Sequence, residues 1–351
     1  MDLTIAALLA QDGITNGAIY ALLALAIVLV FAVTRVIFVP AGEFVAYGAL
    51  TLAALQLGKP PGTVGLLAGL AIATGVVEVW GAARRGAWRD LPRRLALHVA
   101  APLAIAGIVY AAAPLNLALP VQVILAVAIV TALGPLLYRL AYQPLAEASV
   151  LVLLIVSLAL HFLLSGLGLL FFGPEGSRTA PLAEGSLTLP GGFPLSAQVM
   201  LMIGSAVCLS ALFFLLFERT VAGKALRATA VNRIGARLVG IRPARTALLA
   251  YTLASLLAGL IGVLVAPVMT MYYDSGFLIG LKAFVAAIIG GLVSYPLTAI
   301  GALAVGGVES FASFWSGALK DVIVFSLLVP VLMLRSFLVR HAEEEAEEID
   351  R

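Results

Sequence analysis

Charged side chains are scarce in this sequence. Asp, Glu, Lys and Arg make up 11% of its 351 residues, whereas a soluble globular protein carries roughly a quarter. Hydrophobic residues make up 62%, and the mean hydropathy is +1.12. This balance excludes an ordinary soluble domain and, with repeated apolar runs of about 20 residues, is typical of a polytopic membrane protein. The net charge is only +3, and the basic residues cluster in loops, which suits membrane topology better than nucleic-acid binding.

Cysteine and the common catalytic motifs are also nearly absent. The single cysteine, Cys208, excludes an intrachain disulfide and a cysteine-based metal site. The sequence holds no GxxxxGK[ST] loop, no HExxH and no GxSxG. We therefore expect no catalytic residues, no metal and no cofactor, and any ATP hydrolysis must come from another subunit. The first residues carry no charged n-region, so we also expect no removable signal peptide.

The apolar runs predict an all-α, polytopic transmembrane helix bundle of about nine to eleven spans. Runs 44–57 and 278–293 are short and interrupted by glycine, so either could re-enter the membrane instead of crossing it. The predicted spans are 14–33, 44–57, 63–80, 95–113, 119–138, 150–172, 196–217, 246–269, 278–293, 297–315 and 321–338.

The loops between these spans differ in charge, which predicts their side of the membrane. Loops 81–94, 139–147 and 218–245 and the tail 339–351 hold most of the basic residues. Basic loops stay in the cytoplasm, and an even number of predicted spans separates each from the next. The N-terminus is therefore expected outside and the C-terminus in the cytoplasm. The polar connection 173–194 is expected to face outward.

Residues 218–245, the basic segment, are densely charged between two long apolar runs. Asn232 is a predicted helix N-cap and Gly240 a predicted end. Ile234, Leu238 and Ile241 recur at helical spacing and form an apolar stripe, with Arg233 and Arg237 together on an adjoining face. Such an amphipathic helix can dock into a groove on a partner. The alternative is a solvated loop that only sets topology. The basic residues are Arg219, Lys224, Arg227, Arg233, Arg237, Arg242 and Arg245.

Ionisable residues within apolar sequence are costly in a membrane and so mark candidate sites. Glu43, Lys282 and Glu309 are each surrounded by apolar residues. An ion pair between Lys282 and Glu309 would relieve the cost of burying both charges, and we favour structural pairing over substrate contact. His161 is expected to bond a neighbouring helix. The remaining ionisable residues are assigned to interfaces (Glu78, His98) or to a turn (Asp274).

Several separate motifs occur in a fixed order along the chain. They are ITNGAIYALLALAIVLVFAVTRVIFVPAGEF at 14–44, YRLAYQPL at 138–145, KALRATAVNRIGARLVGI at 224–241, GFLIGLKAFVAAIIGGLVSYPLTAIGALAVGGVES at 276–310 and LKDVIVFSLLVPVLMLRS at 319–336. Together they resemble the H-type permease subunit of branched-chain amino acid ABC importers. The resemblance covers most of the chain.

The resemblance implies a set of partners and site residues. Two permease subunits, often an H-type and an M-type, form the pore in the inner membrane of a bacterium or archaeon. Two cytoplasmic ATPases bind their coupling loops, and an extracytoplasmic binding protein delivers substrate. Gly42 and Glu43 match the family's GEF motif, and Lys282 matches the lysine of its LKAF motif. The coupling-loop positions are Arg227, Asn232, Arg233, Arg237, Leu238 and Gly240.

The sequence departs from the family in three places. Residues 38–41 read Phe-Val-Pro-Ala where the family often has Asn-Phe-Ala-His, and Ile234 stands where an acid is frequent. Residues 60–116 look inserted and add two spans. We thus divide the chain into a permease domain at 1–338, with its coupling loop at 218–245, and a charged tail at 339–351.

The leading hypothesis is an ATP-driven importer permease for branched-chain or related amino acids, working by alternating access. Related transporters that carry urea or amides leave the substrate open. A stand-alone secondary transporter that uses Glu43, Lys282 and Glu309 as an ion relay is the alternative. A membrane-embedded enzyme is disfavoured because the sequence holds no catalytic cluster.

Overall fold

A computed structural model of the protein describes residues 3–86, 88–189, 193–292 and 294–333. The backbone is helical along most of this length, which confirms the predicted all-α bundle. The α-helices are α1 (Leu3–Thr34), α2 (Ala41–Gln56), α3 (Thr63–Arg85), α4 (Leu91–Leu95), α5 (Ala101–Ala112), α6 (Leu119–Leu137), α7 (Val150–Phe172), α8 (Ala197–Arg219), α9 (Val221–Val231), α10 (Arg233–Leu238), α11 (Pro243–Val265), α12 (Ser275–Ile289), α13 (Tyr295–Trp315) and α14 (Lys320–Ser326).

Short π and 3₁₀ segments continue two of the long helices. Ala96–Ala100 is a π-helix that joins α4 to α5, and the 3₁₀ turn Ala113–Leu115 follows α5. After α6 come the π-helix Tyr138–Tyr142 and the 3₁₀ turn Gln143–Leu145. These segments let the chain remain helical while its register shifts.

Eight helical segments of the described chain are long and apolar enough to cross a membrane. The protein is therefore a multi-pass membrane protein. Each of the eight overlaps a predicted span, and the ends differ by several residues. The segments are Ile5–Thr34, Thr63–Arg84, Leu91–Leu115, Leu119–Leu145, Val150–Phe172, Ala197–Arg219, Pro243–Val265 and Tyr295–Trp315.

The three other predicted spans are the short runs and the last one. α2 has 16 residues and α12 has 15, which gives lengths of roughly 24 and 22 Å against a hydrocarbon core of about 30 Å. The predicted span 321–338 extends past the described residues, which show α14 at its start. The tail 339–351 lies outside the described residues.

α2 runs from the middle of the bundle to one end of it. Glu43, in its first turn, contacts His161 at the middle of α7. Gln56, its last residue, accepts a hydrogen bond from the Ala180 N–H in the loop after α7. The non-helical link before α2 is buried, with Phe38 inaccessible, and this satisfies the requirement that irregular backbone at membrane depth be enclosed by protein.

α1 lies at the centre of the bundle and is mostly buried, whereas α7 and α8 lie at its edge and expose most of their surface. Close backbone contact at glycine holds the centre together. A Cβ added to Gly306 would lie 2.4 Å from the Gly13 carbonyl oxygen, where α13 meets α1. One added to Gly48 would lie 2.7 Å from the Gly259 carbonyl oxygen, where α2 meets α11. Small residues thus let the central helices pack at short range without a large side chain between them.

The connection between α7 and α8 contains a small β-hairpin that the sequence analysis did not predict. Strand β1 (Ser186–Leu189) pairs antiparallel with β2 (Phe193–Ser196), with Ser186 opposite Ser196. The same connection is fixed to the rest of the bundle because Ser177 and Met271 form a β-bridge. It lies at the end of the bundle opposite the basic segment, since α8 separates the two.

Residues 60–116, the region predicted to be inserted, form the helical hairpin of α3 and α5. Its helices pack on each other and on α6. The two spans are therefore present, while their origin as an insertion stays a prediction.

Candidate functional site

A buried ion network joins three helices of the bundle. Lys282 Nζ on α12 lies 2.5 Å from Glu309 Oε1 on α13 and 2.8 Å from Asp321 Oδ1 on α14. Tyr20 on α1 donates its hydroxyl proton to Glu309 Oε2 at 2.5 Å. The predicted ion pair between Lys282 and Glu309 is therefore present in the structure. We call Tyr20, Lys282, Glu309 and Asp321 the ion network.

Burial decides how much each charge depends on its partners. Lys282 is 5% exposed and Glu309 6% exposed, so neither can be hydrated well by water. The side chain of Asp321 is 34% exposed, and its contact with Lys282 is an ion pair whose angles do not make it a hydrogen bond. Removing one member of a buried pair typically costs about 3–5 kcal/mol, because the other charge stays buried without compensation.

A second buried pair joins α2 to α7. Glu43 Oε1 lies 2.6 Å from His161 Nδ1, and Glu43 is inaccessible to solvent. The imidazole of His161 stacks on Phe277 with the ring centroids 4.1 Å apart. The other carboxylate oxygen, Glu43 Oε2, has no hydrogen-bond partner in the described part of the chain. The sequence analysis expected a helix contact from His161 but not that Glu43 would be the partner.

Gly42 packs closely against α12, a role that its position beside Glu43 in the sequence did not predict. A Cβ at this position would lie 2.1 Å from the Gly276 carbonyl oxygen, so only glycine lets α2 and α12 cross here. The crossing places the first turn of α2 against the first turn of α12. The two pairs, Glu43–His161 and Lys282–Glu309, are thus carried by neighbouring helices that meet at this crossing.

A third cluster lies where α3, the segment around α4 and the end of α6 meet. Glu78 is 6% exposed and accepts hydrogen bonds from the Arg139 guanidinium. Arg94 Nη1 lies 3.6 Å from Glu78 Oε2, and His98 Nδ1 lies 3.9 Å from Glu78 Oε1. Glu78 and His98 were assigned to the membrane interface as separate residues, whereas the structure makes them one group. Asp274, assigned to a turn, is exposed and precedes α12.

The basic segment folds into α9 and α10 with the caps that the sequence predicts. Asn232 is the N-cap of α10, and its Oδ1 accepts a hydrogen bond from the Gly235 N–H at 2.8 Å. Gly240 follows α10 with a φ of 85°, the left-handed region that favours glycine. Ile234 is 72% exposed and Leu238 83% exposed, so these two members of the predicted apolar stripe face away from the bundle. Ile241, the third, lies beyond the end of α10 and is half-buried.

The arginines of the basic segment contact their own chain. Arg233 Nη1 donates to the Ala146 carbonyl oxygen at 3.0 Å, and Arg237 Nη2 lies 3.7 Å from Glu147 Oε1. Both therefore reach the link after α6, which agrees with their predicted common face. Arg227 Nη2 donates to Glu218 Oε1 at 2.6 Å within the basic segment.

Within the residues that the structure describes, no group of three or more His, Cys, Asp or Glu could hold a metal ion. The buried carboxylates contact Lys282 and Tyr20 (Glu309), His161 (Glu43) and Arg139 (Glu78). The arrangement is suited to holding helices together and to presenting charge to a cavity.

Comparison with known proteins assigns the chain to a family. The family described as branched-chain amino acid transport system permease component matches residues 9–334. The high-affinity branched-chain amino acid transport system permease protein LivH of Salmonella typhimurium is 30% identical over 219 residues, which cover 60% of this chain and 70% of LivH. LivH of Escherichia coli gives the same identity and coverage.

The corresponding permease protein BraD of Pseudomonas aeruginosa is 29% identical over 218 residues, 59% of this chain and 69% of BraD. No solved structure matches the chain at a significant level. The matched region includes the ion network, the Glu43–His161 pair and the basic segment. The chain belongs to the family of permease components of branched-chain amino acid transport systems.

Proposed function

We propose that this protein is one of two permease subunits of an ATP-driven ABC importer for branched-chain or related amino acids. The second permease subunit is a related or identical chain, two cytoplasmic ATPases supply the energy, and an extracytoplasmic binding protein delivers the substrate. The complex lies in the inner membrane of a bacterium or archaeon, with the N-terminus of this chain outside and its C-terminus in the cytoplasm. Transport proceeds by alternating access.

The observation that carries this proposal is the surface of α10. Ile234, Leu238 and Val239 are 72%, 83% and 75% exposed at the end of the bundle where the basic residues cluster. An apolar patch rimmed by polar side chains marks a protein interaction site. Arg233 fixes α10 to the link after α6, so a partner that grips the patch would also pull on the bundle. This is what an ATPase must do to a permease that has no phosphate-binding loop of its own.

The alternative, a secondary transporter driven by an ion gradient, would need a relay of free ionisable groups. Lys282 and Glu309 are paired with each other, and Glu43 is paired with His161. This pairing supports a structural role for the buried charges and favours the ATP-driven mechanism.

The test is uptake by the reconstituted complex. Liposomes that contain both permease subunits and both ATPases should accumulate leucine only with internal ATP and the external binding protein. Leu238→Asp places a charge in the α10 patch, and we expect it to lower ATP-driven uptake at least about ten-fold, since a hot-spot residue contributes roughly 2 kcal/mol or more. Leu57→Asp, at a leucine that is 69% exposed at the opposite end of the bundle, is the matched control.

Membrane levels of both variants should equal that of the unmodified protein. Undiminished uptake by the Leu238→Asp variant would remove the docking role of α10. Uptake by the chain alone, driven by a proton or sodium gradient, would favour the secondary transporter. Competition between labelled leucine and urea or acetamide tests whether the protein carries amino acids or these related substrates.

A further inference from the structure

Two polar cavities open at the end of the bundle opposite the basic segment. The first has a volume of about 290 Å³ and lies between α1, α8, α13 and α14. The second, of about 450 Å³, lies under the connection between α7 and α8. Val199 and Val268 line both, so the two adjoin each other. We call the first the outer cavity and the second the vestibule.

The outer cavity reaches down to the ion network. Glu309 lines it and is 6% exposed. Glu309 lies six residues before the end of α13, which places it roughly 9 Å below that end. A ligand that entered from the vestibule would therefore meet a buried carboxylate that already holds Lys282 and Tyr20. Carboxylate oxygens can accept more than one hydrogen bond each, so Glu309 can receive a further donor.

The lining carries charges of both signs. Asp12 and Lys320 face the outer cavity together with Glu309, and neither Asp12 nor Lys320 forms an ion pair among residues 3–86, 88–189, 193–292 and 294–333. A plain anion would be repelled by Asp12 and Glu309, and a plain cation by Lys320. A zwitterion satisfies both groups. The uncharged polar residues of the lining are Thr15, Asn16, Ser310 and Ser313.

The size of the outer cavity restricts the ligand to a small molecule. Its volume of about 290 Å³ is at the lower limit of small-ligand sites, which run from roughly 300 to 1,000 Å³. The apolar cavity of about 730 Å³ between α6, α8 and α11 is larger, but its lining is mostly Leu, Ile, Met and Val, with Ser205 and Cys208 and no charged side chain. The outer cavity, by contrast, combines access, charges of both signs and a buried carboxylate.

We propose that the outer cavity binds the transported substrate as an α-amino acid zwitterion before it enters the bundle. The ammonium group lies against Asp12 and Glu309, and the carboxylate lies against Lys320. This assignment rests on the proposed import function, whose direction makes this end of the bundle the entry.

The ion network lets Glu309 accept the substrate ammonium without losing Lys282. Lys282 Nζ is shared between Glu309 at 2.5 Å and Asp321 at 2.8 Å, so Asp321 balances part of its charge. Glu309 therefore accepts the ammonium as a further donor while its structural pair with Lys282 persists. Since Lys320 and Asp321 are adjacent, binding of the substrate carboxylate acts on the same turn of α14.

The test measures protection of a cysteine in the purified chain, without ATPases or binding protein. Asn16→Cys is made in a Cys208→Ser background, because Cys208 is exposed, and is labelled by a membrane-impermeant maleimide. We expect leucine to slow labelling, and leucinamide and 4-methylpentanoate, which lack one charge each, to have no effect at the same concentration. Ser313→Cys is a second reporter, used where Asn16→Cys itself prevents binding.

The decisive experiment replaces Lys320, the proposed partner of the substrate carboxylate. Lys320→Gln should raise the leucine concentration needed for half-protection about ten-fold or more, the factor that corresponds to ~1.4 kcal/mol. Lys59→Gln, at an exposed lysine after α2, should leave it unchanged. Equal protection by all three compounds, no protection of either reporter, or protection unaffected by Lys320→Gln would overturn the proposal.

Failure of this proposal is distinguishable from failure of the proposed function. ATP-dependent uptake by the full complex, without leucine protection of either reporter, removes the outer cavity as a binding site and leaves the importer intact. Protection by leucine with gradient-driven and ATP-independent uptake keeps the site and removes the ABC mechanism.

Discussion

Loss of Lys282 should destabilise the bundle more than loss of Lys282 and Glu309 together. In Lys282→Met, Glu309 stays 6% exposed and keeps only the hydroxyl of Tyr20 as a donor. Removing one member of a buried pair costs about 3–5 kcal/mol. We expect the lower end, ~3 kcal/mol, because Tyr20 still neutralises part of the charge and Asp321, at 34% side-chain exposure, can be hydrated.

The double variant Lys282→Met with Glu309→Gln removes both buried charges. A neutral glutamine can still bond Tyr20, and replacing a buried ion pair by uncharged groups is often close to neutral. We therefore expect a loss of about 1 kcal/mol or less, so that the coupling free energy between the two positions is roughly 2 kcal/mol or more.

The assay is unfolding of the purified protein in mixed micelles as the fraction of SDS is raised, followed by the fluorescence of its 3 tryptophans. Lys320→Met is the matched control, since Lys320 is half-buried and is not ion-paired within the described residues. This variant should change the free energy of unfolding by no more than about 0.5 kcal/mol, as substitutions outside buried networks usually do. Additive losses for the Lys282 and Glu309 variants would refute the pairing, and an equal loss in the Lys320 variant would show that the assay reports lysine content alone.

Two further predictions concern the other central contacts. His161→Ala should lower the free energy of unfolding by about 3 kcal/mol, because the inaccessible Glu43 carboxylate loses the imidazole at 2.6 Å, its one hydrogen-bond partner among the described residues. Adding Glu43→Gln should recover more than half of this loss in the same SDS titration. Gly42→Ala should lower the free energy of unfolding by about 1–3 kcal/mol, because its Cβ would lie 2.1 Å from the Gly276 carbonyl oxygen. Gly69, where an added Cβ would have nothing within 4 Å, should tolerate alanine or gain stability. A fully stable Gly42→Ala variant would contradict the close crossing of α2 and α12.

The sequence predicted the long spans well, for a physical reason. A segment that crosses hydrocarbon must be apolar over its whole length, and this property is local. The same reasoning identified α2 and α12 as short, because glycine and proline break their apolar runs. Hydropathy does not predict how deep in the bundle a helix begins. α2 begins beside the middle of α7, and this position depends on the contact between Glu43 and His161.

The ion network was predicted in part because two of its members stand out in sequence. Lys282 and Glu309 are lone charges in apolar runs, and each therefore needs a partner. Asp321 is the first residue of the last predicted span and Tyr20 lies within the first apolar run, and neither was singled out from the sequence. Neither residue carries a local signal for its contact, which arises only when α1 and α14 pack on α13.

The hairpin between α7 and α8 was not predicted because the alternation of polar and apolar residues in Ser186–Leu189 covers only four positions and the surrounding sequence is rich in glycine and proline. Ser186 and Ser196 pair at the end of the two strands that lies away from the turn. Gln198, two residues later, donates to the Leu264 carbonyl oxygen and accepts from the Leu182 N–H. The connection is thus positioned by contacts with α11, which sequence spacing cannot indicate.

The basic segment shows most clearly what charge patterning can and cannot assign. The pattern treated Arg233 and Arg237 alike, as cations on one face of a docking helix. The structure gives Arg233 a carbonyl partner in the link after α6 at 3.0 Å, while the side chain of Arg237 is 53% exposed. Arg233 therefore ties α10 to the link after α6, although its Nε is buried without a hydrogen-bond partner among the described residues. If α10 docks on a partner as we propose, we expect the exposed Leu238 to make that contact and Arg233, together with Arg237 near Glu147, to connect it to the link after α6.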